Sequence, residues 1–154
     1  DGLDGLAAGL GLISSLSLAI YNFKIDQPLI SLLSASLAGT CLGFLRYNFK
    51  NASILMGDGG SYFIGFLLAA ITLKSYKVET GLLSIIPLFL FLSVPIVDMT
   101  FVIFGRIMSK KSPFKPDRRH LHHRLLNLGF NQNNTVLIIY LLNMITSIIG
   151  LTAF

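Results

Sequence analysis

The residues able to do chemistry are few and fall in three short polar stretches: Asp1-Gly2-Leu3-Asp4-Gly5, Met56-Gly57-Asp58-Gly59-Gly60-Ser61 and Asp117-Arg118-Arg119-His120-Leu121-His122-His123. Asp1 and Asp4 are three residues apart, which puts both carboxylates on one face if the turn opens a helix. Ionised carboxylates at an apolar boundary must be solvated, paired or bound to a cation; helix capping is the plainer alternative. Asp58 lies in a glycine-rich turn whose backbone can take positive φ and approach a ligand closely, which suits phosphate or a metal. Its alternative is a tight turn between helices. No Gly-Lys-Ser/Thr follows, so the stretch is not a nucleotide P-loop. An aspartate there can ligate Mg²⁺, which takes one or two carboxylates and leaves its other positions to water and phosphate.

The His120-x-His122-His123 cluster has the ligand type for zinc, but it has no cysteine nearby and sits among Lys115, Arg118, Arg119 and Arg124. Cationic side chains with imidazoles suit a diphosphate better, through charge-assisted hydrogen bonds; a solvated loop is the third reading. Arg106 adds a guanidinium at the end of an apolar run, or serves as an interface anchor. Asp98 is the one carboxylate well inside an apolar run. Such an acid faces a bundle interior or aqueous cavity and is functional by default, with pairing to a basic group elsewhere as the alternative.

The elements that must position these groups are apolar. Of 154 residues, 53% are hydrophobic and 12% charged, with mean hydropathy +0.73. A soluble domain carries about 25% charged residues, so this chain lacks the polar surface to cover a water-exposed globule. Its single cysteine, Cys41, sits in an apolar run and excludes a disulfide framework.

The expected fold class is therefore all-α: a polytopic membrane helical bundle of about five transmembrane helices. Five apolar segments, 6–23, 28–45, 60–76, 81–104 and 135–154, approach the ~18–20 residues a bilayer crossing needs. The third is the weakest, and Pro87 and Pro95 should kink the fourth. Asn134 is the expected cap of the last. The cytoplasmic loops are expected at 46–59 and 105–133. With the N-terminal turn they hold nine Lys/Arg, against Lys24, Lys74 and Lys77 opposite, so the positive-inside rule puts all three polar stretches on the cytoplasmic side. The basic cluster in that setting points to phosphate rather than nucleic acid. Carboxylates with a metal, facing a basic histidine loop at a membrane surface, describe a site for a diphosphate and a lipidic co-substrate.

Asp-Gly-Leu-Asp-Gly-Leu-Ala, Met-Gly-Asp-Gly-Gly-Ser and Asp-Arg-Arg-His-Leu-His-His-Arg-Leu together resemble the signature motifs of the polyprenyl-phosphate N-acetylhexosamine-1-phosphate transferases (glycosyl transferase family 4), in order and spacing. The resemblance implies a multi-pass enzyme of the bacterial cytoplasmic membrane that moves a sugar-1-phosphate from a UDP-N-acetylhexosamine to undecaprenyl phosphate and releases UMP. It implies Mg²⁺, with Mn²⁺ as a substitute, and leaves a homodimer open. By position, Asp58 matches the metal-binding aspartate, and Asp1 and Asp4 the acidic motif beside the reacting phosphates. Asn48 matches an asparagine of the nucleoside pocket; Arg106, Arg118, His120, His122 and His123 match the loop that holds diphosphate and sugar. Asp98 falls on a helix that can line the nucleotide pocket.

The His-x-His-His form resembles the GlcNAc-1-phosphate branch. The phospho-N-acetylmuramoyl-pentapeptide branch, with three consecutive histidines, comes second, and an ion-coupled transporter is the rival from another class. Leu55 stands where some members carry an aromatic, and Asn51 replaces a frequent proline, which should loosen its loop. Members are about twice this length and carry an earlier Asp-Asp motif. The expectation is thus a C-terminal half of a ten- or eleven-helix enzyme, inactive alone.

Overall fold

A computed structural model describes residues 2–77, 81–109 and 120–153. Among the described residues seven helices follow in order: α1 (Leu6–Lys24), α2 (Pro28–Asn48), α3 (Gly57–Ser75), α4 (Leu82–Phe91), α5 (Ser93–Met108), α6 (Leu121–Asn127) and α7 (Gln132–Thr152). No strand occurs among the described residues.

α1 is the central post, packed against α2, α3, α4 and α7. Its composition explains this place. Ala8, Gly9, Gly11, Ser14, Ser15, Ser17 and Ala19 are all buried, and small side chains let neighbouring helices approach closely where lipid offers no hydrophobic drive. At Gly9 the Tyr140 ring of α7 occupies the space a Cβ would fill, and at Gly11 Cys41 of α2 and Ile64 of α3 close in. The core around Leu18, Tyr21, Leu37, Cys41, Leu68 and Phe91 joins α1 to α2, α3 and α4.

The outward faces are apolar too, with Leu29, Leu32, Leu33, Phe63, Phe66, Phe101, Phe104 and Ile148 exposed. That is the pattern of a bundle in lipid rather than in water. Helices α1, α2 and α7 are each long and apolar enough to cross a membrane, and the α4–α5 pair makes a fourth if taken as one broken span. Among the described residues α3, also expected to cross, opens with the polar Gly57–Ser61 stretch, and the helices agree with the expected helical membrane bundle.

Two expectations are corrected. The fourth segment is not one kinked helix: it breaks at Leu92, and α4 and α5 meet at 74°. Pro95 has no N–H to return to the carbonyl four residues earlier. That carbonyl, of Phe91, instead accepts from Ser14 Oγ at 2.8 Å, and Ser14 Oγ accepts from Asn143 Nδ2 at 3.2 Å. The break is thereby satisfied from α1 and α7. The cap of α7 is Asn131 rather than Asn134: Asn131 is extended (φ −74°, ψ 165°) and its side chain accepts the Asn134 N–H, so the polar turn itself begins the helix.

Candidate active site

The N-terminal turn is held by polar contacts from three directions. The Gly5 N–H donates to Asn48 Oδ1 at 2.9 Å, and Asn48 Nδ2 donates to the Ile54 carbonyl at 2.9 Å. The Ala52 N–H donates to Asp4 Oδ2 at 3.0 Å. From α7, the Tyr140 hydroxyl donates to the Gly5 carbonyl while its ring stacks on Phe49. Asn48 is buried, and both ends of its amide are engaged with backbone. It ties the start of α1 to the α2–α3 loop, a role its sequence position did not suggest.

That loop is not loosened by Asn51. Lys50 and Asn51 both adopt left-handed backbone, φ 52° and 57°, which asparagine tolerates and proline, locked near −65°, cannot enter. Hydrogen bonds at Ala52, Ser53 and Ile54 pin the turn. Leu55 is exposed.

Asp98, on α5, reaches the histidine loop directly. Its Oδ2 lies 2.9 Å from His120 Nδ1, and its Oδ1 accepts the Leu121 N–H at 2.7 Å. The His120, His122 and His123 rings then pack in sequence, with centroids 5.7 and 4.2 Å apart. His122 is buried against Gly2, where an added Cβ would stand 2.7 Å from Nε2. Burial pushes the His122 pKa down to about 4, helped by the neighbouring His123 and His120 imidazoles and opposed by Asp98. At neutral pH the lowered pKa favours the neutral His122 imidazole, so any bond it makes to phosphate lacks the assistance of positive charge.

These groups surround a cavity of about 500 Å³. Its lining joins the polar Asp98, His120, His122, His123 and Ser61 to the aliphatic Leu6, Leu10, Ile64, Leu68, Val94 and Ile139. The three polar stretches therefore share one end of the bundle, joined through Gly2–His122, Asp4–Ala52 and Ser61 at the cavity. Asp58 does not line it. Asp58 is exposed in the first turn of α3, one turn before Ser61, and its carboxylate makes no ion pair or hydrogen bond with another described residue. Gly57 before it is left-handed at φ 67°, and Gly57 and Gly59 have open space around them. An unpaired carboxylate at an open glycine turn fits a hard cation that draws its other ligands from water and phosphate. Among the described residues no group of three or more His, Cys, Asp or Glu is placed to hold a metal.

Arg106 is buried in the last turn of α5, rather than reaching out as an interface anchor. Asp1 and Arg118 lie outside the described residues. Two positions were missed in sequence: Tyr140 and Ser14. A lone tyrosine in the last apolar segment was a signal for the first. Ser61 stood inside a recognised motif, whereas Ser14 looked like any small helix residue.

A membrane bundle with an acidic turn, a glycine-aspartate turn and a histidine loop at one end defines a class, and sequence comparison agrees. The profile of glycosyl transferase family 4 matches residues 1–76 of the chain. It is similar to a probable undecaprenyl-phosphate N-acetylglucosaminyl 1-phosphate transferase of Bacillus subtilis, 43% identical over 148 residues, covering 96% of this chain and 41% of the relative. It is also similar to a decaprenyl-phosphate N-acetylglucosaminephosphotransferase of Mycobacterium leprae, 40% identical, covering 92% and 40%. The undecaprenyl-phosphate α-N-acetylglucosaminyl 1-phosphate transferase of Escherichia coli is 27% identical, covering 99% and 43%. The chain thus spans about two fifths of the length of these relatives.

Proposed function

We propose that the protein transfers N-acetylglucosamine-1-phosphate from UDP-N-acetylglucosamine to a polyprenyl phosphate, with its polar end facing the cytoplasm. The observation that carries this reading is the mixed lining of the cavity. Its imidazoles suit a phosphate-bearing sugar, and its aliphatic walls suit a prenyl chain. The relatives are named for polyprenyl-phosphate substrates and N-acetylglucosamine phosphate transfer, which agrees with both halves.

In the proposed step, an oxygen of the lipid phosphate attacks the sugar-bearing phosphorus of the donor. The bond from that phosphorus to the bridging oxygen breaks, and UMP leaves with the electron pair. Catalysis of such a transfer is mainly positioning and charge stabilisation. In this reading His123 orients phosphate oxygens and His120 the sugar, both from the cavity lining, while neutral His122 packs on Gly2 and fixes the histidine loop against the N-terminal turn. Asp4 holds the α2–α3 loop through Ala52. Asp58 would hold Mg²⁺, which when bound neutralises phosphate charge.

UMP release from UDP-N-acetylglucosamine, with undecaprenyl phosphate and Mg²⁺ and the protein as the cell makes it, tests this. Asp58→Ala should lower the rate by about 100-fold or more, the several kcal/mol of charge stabilisation a metal supplies. Absence of UMP, or an unchanged rate in Asp58→Ala, would refute the reading. A preference for UDP-N-acetylmuramoyl-pentapeptide would move it to the other branch.

A further inference from the structure

The Asp98 carboxylate has both oxygens committed within the protein. Oδ1 accepts the Leu121 N–H, and Oδ2 meets His120 Nδ1. Leu121 is the first residue of α6, and α6 has no cap from its own N-cap side chain, His120. The first N–H groups of a helix need outside acceptors, and here one comes from α5, 23 residues away in sequence. An ionised carboxylate can only accept, so the bond to His120 requires the proton on Nδ1. That leaves Nε2 as the one ring nitrogen free for a ligand, on a side chain that lines the cavity.

We infer that Asp98 is a positioning residue: it does not bind substrate but seats α6 and selects the His120 tautomer whose unprotonated Nε2 is left to accept from a hydroxyl or amide N–H of a sugar in the cavity, not to bond a phosphate oxygen. This replaces the expectation of a nucleotide contact by Asp98. Its effect on turnover rests on the transferase reading; the tautomer does not.

Asp98→Asn separates the two tasks. Its amide oxygen can still accept from Leu121, so α6 stays seated, but its NH₂ turned toward His120 makes Nδ1 an acceptor and moves the proton to Nε2. ¹⁵N NMR of imidazole-labelled protein in nanodiscs should show Nδ1–H at His120 in the wild type and Nε2–H in Asp98→Asn. UMP release should fall by about 10- to 100-fold in kcat, the usual cost of losing an orienting partner, with the donor KM within about twofold. A wild-type His120 with unprotonated Nδ1 would overturn the inference even if the variant did not fold. So would a folded Asp98→Asn with unchanged tautomer, or one that loses donor affinity while keeping kcat. If wild-type protein releases no UMP, the transferase reading fails, and the tautomer measurement still decides the role of Asp98.

Discussion

Replacing Gly9 by alanine probes the contact that holds the N-terminal turn to α7. A Cβ built on Gly9 would lie 1.9 to 2.2 Å from Tyr140 ring and hydroxyl atoms, so the ring must move. Overpacking of this kind costs about 1–3 kcal/mol. The displaced hydroxyl also loses the Gly5 carbonyl, worth about 1 kcal/mol. Against these, alanine is favoured over glycine inside a helix by about 1 kcal/mol. The net expectation is a loss of about 1–3 kcal/mol, read from unfolding in an SDS titration of mixed micelles. In a Tyr140→Ala background the clash is gone and only the helix preference remains, so the same substitution should stabilise by up to about 1 kcal/mol. The sign reversal is the sharp result. If Gly9→Ala stabilises the wild type, or acts equally in both backgrounds, the close approach of α1 and α7 is not what holds this turn.

Three other perturbations follow from the polar contacts. Asn48→Ala leaves the buried Gly5 N–H without its acceptor and should cost about 2 kcal/mol, with faster hydrogen exchange at Gly5; Asn48→Asp, which keeps the acceptor, should restore slow exchange there. Ser14→Ala removes the donor to the Phe91 carbonyl and the acceptor for Asn143, costing about 1–3 kcal/mol, and spin labels on α4 and α5 should report a broader interhelical distance. Because the folded pKa of His122 is lowered to about 4 from 6.5, the unfolded chain binds a proton there first. Stability is full above pH 6.5 and falls as pH is lowered through the window down to about 4, by about 2 kcal/mol on reaching pH 5. Unfolding of His122→Gln should lack that slope.

The sequence alone determined the class of molecule and most helix positions. Low charge and long apolar runs exclude a water-covered globule, and helices that satisfy their own backbone groups are the only open-ended way to bury such runs in lipid. The three polar stretches were equally legible, because charged and glycine-rich residues between apolar runs have few structural uses. Boundaries were less so. The cap of α7 moved to Asn131 because several adjacent asparagines could serve and only backbone geometry chooses among them. The break at Leu92 was foreshadowed by Pro95, but its stability was not, since the freed Phe91 carbonyl is satisfied by Ser14 from another helix.

What the tertiary structure decided is which polar atoms are free to act. Asn48 and Asp98 carry the same functional groups whether they bind a ligand or the protein's own backbone. Only long-range packing shows that Asn48 is used on Gly5 and Ile54, and Asp98 on His120 and Leu121, while Asp58 is left open. Protonation is decided the same way. Burial beside Gly2 and two further imidazoles favours a neutral His122, because desolvation depends on neighbours brought together by the fold rather than by the chain.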